Sequence, residues 1–295
     1  RRRAGERALV LGGGGSTGNA WLIGVVAGLY DAGLDVTGTD LIVGTSAGST
    51  AAVQLSGATP AELLDAILTA EAPSQPDRGA ARGRPNAAPV VSQLERTARI
   101  IATAEDAAAV RRAMGAWALD VPATSDGNAQ ARWRATVAAR LPSQHWPQRT
   151  LLITAVDARS GEPVVFDHLS GVDIVDAVAA SCASGFAYGI GGHQYIDGGY
   201  RRNENADLAS GYRRVLVLSP FGGRSRHPLE WGMQLAAQVD ELRAGGSGVE
   251  TIVPDRDSEH LFGANAMDLS LRPDAARAGH HQGGALAERL AEFWG

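Results

Sequence analysis

Lysine is absent from this 295-residue chain, and all 27 of its basic residues are arginine. No lysine Schiff base can form on a carbonyl substrate, and no lysine is available to a phosphate-binding P-loop. Cysteine is nearly absent too. With Cys182 alone, the chain can close no internal disulfide and build no cysteine-ligated zinc cluster. A single thiol fits a reducing compartment, so the expected location is the cytoplasm. No apolar run reaches the ~20 residues that cross a bilayer as a helix. The opening Arg1-Arg2-Arg3 passes at once to Ala4-Gly5-Glu6-Arg7, without the apolar stretch of a signal peptide. Because the first residue is not Met, export stays an open alternative. Surplus positive charge is also missing: the net charge is -5. No cationic field is available to neutralise phosphates, so a nucleic-acid partner is not expected.

What is present is glycine, 37 residues of it, and a repeated order of short apolar runs and helical segments. Residues 8–11 read as a buried strand, followed by a glycine run and a helix over about 18–32 that Gly33 closes. A second strand covers 41–43, and a helix runs from Ser46 to about Ser56. Pro60 opens another, with Leu63, Leu64, Ile67 and Leu68 at helical spacing. Residues 72–89 break this rhythm with four Pro, two Gly and three Arg, and read as a loop or lid. Helices are expected over about 90–118 and 129–141, with Trp117, Trp133 and Trp146 in the core. Strands at 151–156 and 164–166, a helix at 172–182, and strands at 193–196, 215–218 and 251–253 follow, with helices at about 230–244 and 284–293. Strand-then-helix order predicts an α/β fold whose mostly parallel sheet, of five to seven strands, is covered on both faces: a three-layer α/β/α sandwich. The length fits a single domain over 1–295 with a loop and helical insertion at about 72–147.

Two glycine-rich turns carry the chemistry. Gly44-Thr45-Ser46-Ala47-Gly48 follows the second strand and opens a helix. A G-x-S-x-G turn in that setting lifts the serine oxygen clear of the backbone and aims a helix N-terminus at developing negative charge. A side chain at Gly44 or Gly48 would collide where strand and helix pack closely. The run Gly12-Gly13-Gly14-Gly15-Ser16-Thr17-Gly18 follows the first strand, and its G-x-G-x-x-G spacing is also a dinucleotide fingerprint. That reading needs an acid at the end of the second strand to hold a ribose, and Gly44-Thr45-Ser46 stands there instead. What remains is a set of unobstructed backbone N–H groups at a helix start, as an oxyanion hole requires.

A serine nucleophile needs a base. None of the seven histidines sits in a recognisable triad context, although His260, His280 and His281 fall late enough in the chain for an ordinary Ser-His-Asp arrangement. Asp197 is the other candidate, leaving a strand just before Gly198 and Gly199 with little steric cover. Partial desolvation and a direct hydrogen bond would raise its basicity toward a hydroxyl.

Taken in order, the glycine loop, the serine turn and the late Asp-Gly-Gly resemble the patatin-like acyl hydrolases, and the likeness spans nearly the whole chain. Val164-Val165-Phe166-Asp167, Ala179-Ala180-Ser181 and Asn203 fit the same pattern. The resemblance implies a patatin-like fold with Ser46 as nucleophile, Asp197 as base, and the Gly13, Gly14 and Gly15 amides as oxyanion hole. Gly18, Gly44, Gly48, Gly198 and Gly199 would support the motifs, and neither cofactor nor metal is required. It further implies hydrolysis of acyl esters of the lipase or phospholipase A type. The substrate would be a lipid, met transiently at a membrane or micelle surface. An acyltransferase or thioesterase using the same dyad, and a weak or inactive lipid-binding protein, are the alternatives. Two departures bear on the last: Thr17 stands where the family carries Arg or Lys, and the stretch after Ser181 lacks the family's proline.

Overall fold

The computed structural model of the chain describes residues 5–70 and 88–295. The arginine-rich start and most of the loop expected at 72–89 lie outside the described residues. The chain runs β1 (Arg7–Leu11), α1 (Gly15–Asp31), β2 (Leu41–Gly44), α2 (Ala47–Gly57) and α3 (Pro60–Thr69). Helices α4 (Ala88–Thr103), α5 (Ala107–Leu119), α6 (Pro122–Ser125) and α7 (Gly127–Ala138) come next. They lead to β3 (Thr150–Asp157), β4 (Pro163–Phe166), α8 (Ile174–Ser181), β5 (Tyr188–Ile190), β6 (His193–Asp197) and β7 (Arg214–Leu218). Helix α9 (Leu235–Ala244), β8 (Gly248–Ile252) and α10 (Arg272–Trp294) complete the order.

Local chemistry sets several of these boundaries. Thr59 and Glu62 form a reciprocal capping box at the start of α3, with Pro60 in its first turn. Asp106 accepts the Ala109 N–H and caps α5, which divides the helical region expected over about 90–118 into α4 and α5. A short turn at Leu229–Trp231 ends on Gly232 in the left-handed region, so α9 starts only at Leu235.

The strands form one mixed sheet in the order β5-β6-β3-β2-β1-β7-β8, with β4 also on β3. Five of them are parallel, while β4 and β6 run antiparallel to β3, and β5 antiparallel to β6. This makes eight strands where five to seven were expected. The extra one, β5, has three residues with Gly189 at its centre, too short for alternation to show. Alternate side chains leave a strand on opposite faces. Leu9, Leu11, Ile42, Leu216 and Leu218 accordingly meet residues of α1, α2, α8 and α10, whereas Val10, Leu41, Val43, Val215 and Val217 meet α9 and the turn Ala206–Ala209. The fold is the three-layer α/β/α sandwich. Trp117, Trp133 and Trp146 are half-buried at the core's edge, and the indoles of Trp133 and Trp146 donate to the Ala179 and Val172 carbonyls. No described helix is long and apolar enough to cross a membrane.

Two features position the site. First, β3 serves two strands in succession: residues 150–153 pair with β2, and residues 155–157 pair with the end of β6. Because β4 takes the opposite edge of Ile153 and Ala155, β2 and β6 share one edge and meet end to end at Thr154. Second, α10 begins at Arg272, a full 12 residues before its expected start at 284, and lies parallel to α1. Its glycines are the packing surface. A Cβ at Gly279 or Gly283 would strike the Trp21 or Val25 carbonyl, and one at Gly24 or Gly28 would strike the Ala276 or His280 carbonyl. The two backbones touch because neither helix has side chains there.

Candidate active site

Ser46 sits between the end of β2 and the start of α2 with φ 52° and ψ -120°, a left-handed backbone that a non-glycine residue adopts only when its surroundings enforce it. The enforcing contacts are visible. A Cβ at Gly48 would collide with the Leu11 carbonyl, and one at Gly44 would stand 2.6 Å from the Ser49 Cα. The Ser46 N–H donates to the buried Ser181 hydroxyl at 2.9 Å, and the Ser46 carbonyl accepts from the Ser49 hydroxyl at 2.6 Å.

The strand junction on β3 brings Asp197 to this turn. Ser46 Oγ donates to Asp197 Oδ2 at 2.7 Å, and the Gly199 N–H donates to Oδ1 at 2.8 Å. The carboxyl is 7% exposed. Burial pushes it up from the ordinary carboxylate range to about 6, against the pull of the Gly199 and Ser46 hydrogen bonds, both of which favour the anion. A carboxylate poised there is ionised at neutral pH yet more basic than an exposed aspartate. No histidine stands in its place: His280 pairs with Asp31 at 2.8 Å, and His260 bonds the Asp257 carbonyl. Cys182 packs 3.7 Å from the Ser49 and Thr50 hydroxyls, and burial pushes its thiol up to about 11. It is therefore a protonated, poor nucleophile near neutral pH.

Beneath the pair lies a buried polar cluster that sequence reasoning missed. Asn205, itself left-handed at φ 53°, donates from Nδ2 to the hydroxyls of Thr45 at 3.0 Å and Thr154 at 3.3 Å. It also reaches the carbonyls of Gly198 and Arg202. One side chain thus ties the turn before Ser46 to the turn after Asp197. The signal available was an asparagine two residues beyond Asn203, too common to single out.

The glycine loop closes the third side. A Cβ at Gly13 would lie 3.5 Å from the Ser46 Cβ and 2.8 Å from Asn203 Oδ1, so a side chain there would displace that of Asn203. The Gly13 N–H, one of the three amides expected to face a substrate, donates to the Asn203 carbonyl at 3.0 Å. The Gly14 and Gly15 N–H groups have no protein acceptor among the described residues. Gly15 has φ 66°, and a Cβ at Gly14 would meet Pro220 at 2.5 Å. Thr17 is fully buried, its N–H and hydroxyl both directed to the Ala266 carbonyl at 3.0 and 3.5 Å. The supporting glycines Gly18 and Gly198 pack against Pro220 and Thr154. Among the described residues no group of three or more His, Cys, Asp or Glu is arranged to hold a metal ion.

A three-layer sandwich with a mostly parallel sheet, presenting a serine on a strained turn beside a buried aspartate, defines a protein of the patatin-like fold. Residues 9–210 match the family described as patatin-like phospholipase, and the chain belongs to that family. Among solved structures it is similar to the type III effector protein ExoU at 17% identity and a TM-score of 0.44, covering 99% of this chain and 54% of that one. It is also similar to VipD from Legionella pneumophila, at 12% identity and a TM-score of 0.40, covering 98% of this chain and 67% of that one. A structure of SpcU with ExoU from Pseudomonas aeruginosa gives 19% identity and a TM-score of 0.39, covering 97% and 53%. The chain spans about half the length of ExoU. No curated protein matches it.

Proposed function

We propose that the chain hydrolyses acyl esters of lipids, phospholipids among them, through an acyl-enzyme on Ser46. The observation that carries this is the 2.7 Å hydrogen bond from Ser46 Oγ to Asp197 Oδ2 on a strained strand-to-helix turn. Asp197 takes the hydroxyl proton as Oγ attacks the ester carbonyl carbon. The carbonyl oxygen becomes an oxyanion facing the Gly14 and Gly15 N–H groups and the start of α1. Collapse breaks the ester C–O bond, and the leaving alkoxide takes the proton back from Asp197. Water then attacks the acyl-enzyme, giving one proton to Asp197; the bond from Ser46 Oγ to the acyl carbon breaks, Oγ takes that proton back from Asp197, and the fatty acid leaves. Met267 and Leu269, exposed at 57% and 49%, lie on the segment that packs over the glycine loop, and they suit a lipid surface next to the site.

The test is labelling with a fluorophosphonate probe, followed by release of fatty acid from mixed phospholipid and glyceride micelles. Labelling of the parent at Ser46, its loss in Ser46→Ala, and release of free fatty acid are expected. A parent chain that neither labels nor releases fatty acid overturns the proposal.

A further inference from the structure

The glycine loop, residues 12–18 with its buried Thr17, has no charged side chain of its own, yet a cation reaches it from far along the chain. Arg272, the first residue of α10, donates from one terminal nitrogen to the Ser16 carbonyl at 2.7 Å and the Ser16 hydroxyl at 3.1 Å. Its other terminal nitrogen donates to Asn19 Oδ1 at 3.1 Å. Asn19 in turn donates to Gln54 of α2 at 2.9 Å. The guanidinium therefore ties the start of α10 to the first turn of α1, directly after the Gly14 and Gly15 amides, and Asn19 carries the contact on to the helix that follows Ser46.

Its charge is poorly placed for stability alone. Because α1 and α10 pack in parallel, their positive ends lie together, and a cation there opposes both helix dipoles. Among the described residues no carboxylate lies within ion-pair distance of Arg272. The charged neighbour that acts on it is Arg140, and burial and that like charge both push its pKa down. A neutral donor would satisfy the Ser16 carbonyl without this cost. Two helix ends and a guanidinium thus converge beside the loop, where Asp274, the carboxylate in the first turn of α10, pairs with Arg277 and leaves Arg272 without a partnered negative charge. The reaction proposed above generates one there, on the ester oxygen, only in the transition state.

We propose that Arg272 is a positioning residue for the oxyanion loop: it anchors the start of α1 from the last helix and supplies the positive field that Thr17 does not. The catalytic half of this inference rests on the acyl-enzyme reading, whereas the anchoring half stands by itself. The experiment compares the parent chain with Arg272→Gln, Arg272→Lys and, as control, Arg277→Gln, whose guanidinium pairs with Asp274 farther along the same helix. Each is measured for kcat and KM with a soluble ester, for fluorophosphonate labelling, and for backbone hydrogen exchange over residues 12–19.

Arg272→Gln should lower kcat about thirtyfold with KM within about twofold, since the interaction strengthens only in the transition state. Arg272→Lys should recover most of that loss, and Arg277→Gln should match the parent. Exchange over 12–19 should rise about tenfold in Arg272→Gln alone. Unchanged kcat in Arg272→Gln, or an equal loss in Arg272→Lys, overturns the electrostatic role; unchanged exchange overturns the anchoring role. A parent chain that does not label at Ser46 removes the acyl-enzyme reading and the field with it, and the exchange comparison then decides the anchor.

Discussion

Around Ser46 and Asp197 a network of side-chain hydrogen bonds adds to the steric limits of Gly44 and Gly48, whereas around Gly14 and Gly15 the fixing contacts are close approaches of Pro220 and Ala266 to glycine. The first region is tied by Ser181, Asn205, Thr45 and Thr154, buried residues whose donors and acceptors meet one another. The second is wedged between Asn203, Pro220 and Ala266 and anchored from α10, which lies on glycines. The two devices fail differently. Removing a hydrogen-bonding side chain leaves a small, local deficit, while adding a methyl group to the glycine region displaces backbone.

The largest effects test the hydrogen-bonded region at its centre. Ser46→Ala should lower turnover at least ~10⁴-fold, and Asp197→Asn by roughly 10³-fold, because the amide keeps the shape but cannot take the proton. In the parent chain kcat/KM should fall as pH drops through about 6, where Asp197 protonates. The same shift makes a stability prediction of opposite direction. The unfolded carboxyl titrates near 3.8 and the folded one near 6, so the folded chain holds more protons between these values and its stability falls as pH rises through that window. Asp197→Asn removes that loss. At pH 7 the variant should be more stable by roughly 3 kcal/mol, the gap closing by about pH 4 in chemical denaturation. A variant less stable at pH 7 would mean that the native site favours the carboxylate over the acid.

In the glycine region the corresponding experiment adds atoms. Gly283→Ala would drive a Cβ into the Val25 carbonyl, with no flexible side chain to give way. A loss of about 3 kcal/mol is expected, at the upper end for overpacking. If the helices separate, Arg272 is drawn from Ser16 and turnover falls with stability. Gly284→Ala, whose Cβ would be 3.8 Å from the Gly28 carbonyl, should cost less than about 1 kcal/mol. Equal losses from the two substitutions, read as shifts in the denaturation midpoint, would show that the α1–α10 contact is looser than its geometry.

The same contrast decides what could be read from the chain. Ser46 and Asp197 stand in local patterns, a strand followed by a turn whose chemistry requires those residue types, and sheet order brings them together. Seven of the eight strands were legible as apolar runs. Asn205 and Arg272 carry no local pattern. Their value comes from partners far along the chain: Thr45 lies 160 residues from Asn205, and Ser16 lies 256 from Arg272. The early part of α10 was illegible for a related reason. Glycines at 279, 283 and 284 lower helix propensity, and only the matching glycines of α1 make them favourable. The Gly13 amide could not be judged either, because its acceptor is the Asn203 carbonyl, supplied by a loop after β6.

The smallest expected effect returns to the hydrogen-bonded region and asks whether strain at Ser46 is held by one contact or by many. Ser181 ends α8, fully buried, and its hydroxyl accepts the Ser46 N–H at 2.9 Å. Ser181→Ala leaves that N–H without its acceptor and opens little space, so a loss of about 1 to 2 kcal/mol is expected. The turn retains the steric limits set by Gly44 and Gly48, together with the Ser49 bond to the Ser46 carbonyl. Ser46 Oγ should therefore stay within reach of Asp197, and the rate of fluorophosphonate labelling should fall by no more than about tenfold. A fall near that of Asp197→Asn, with the fold intact by thermal denaturation, would mean that the left-handed serine depends on Ser181 alone. The packing of β2 against α2 would then be permissive, and the hydrogen-bonded region would be the more fragile of the two.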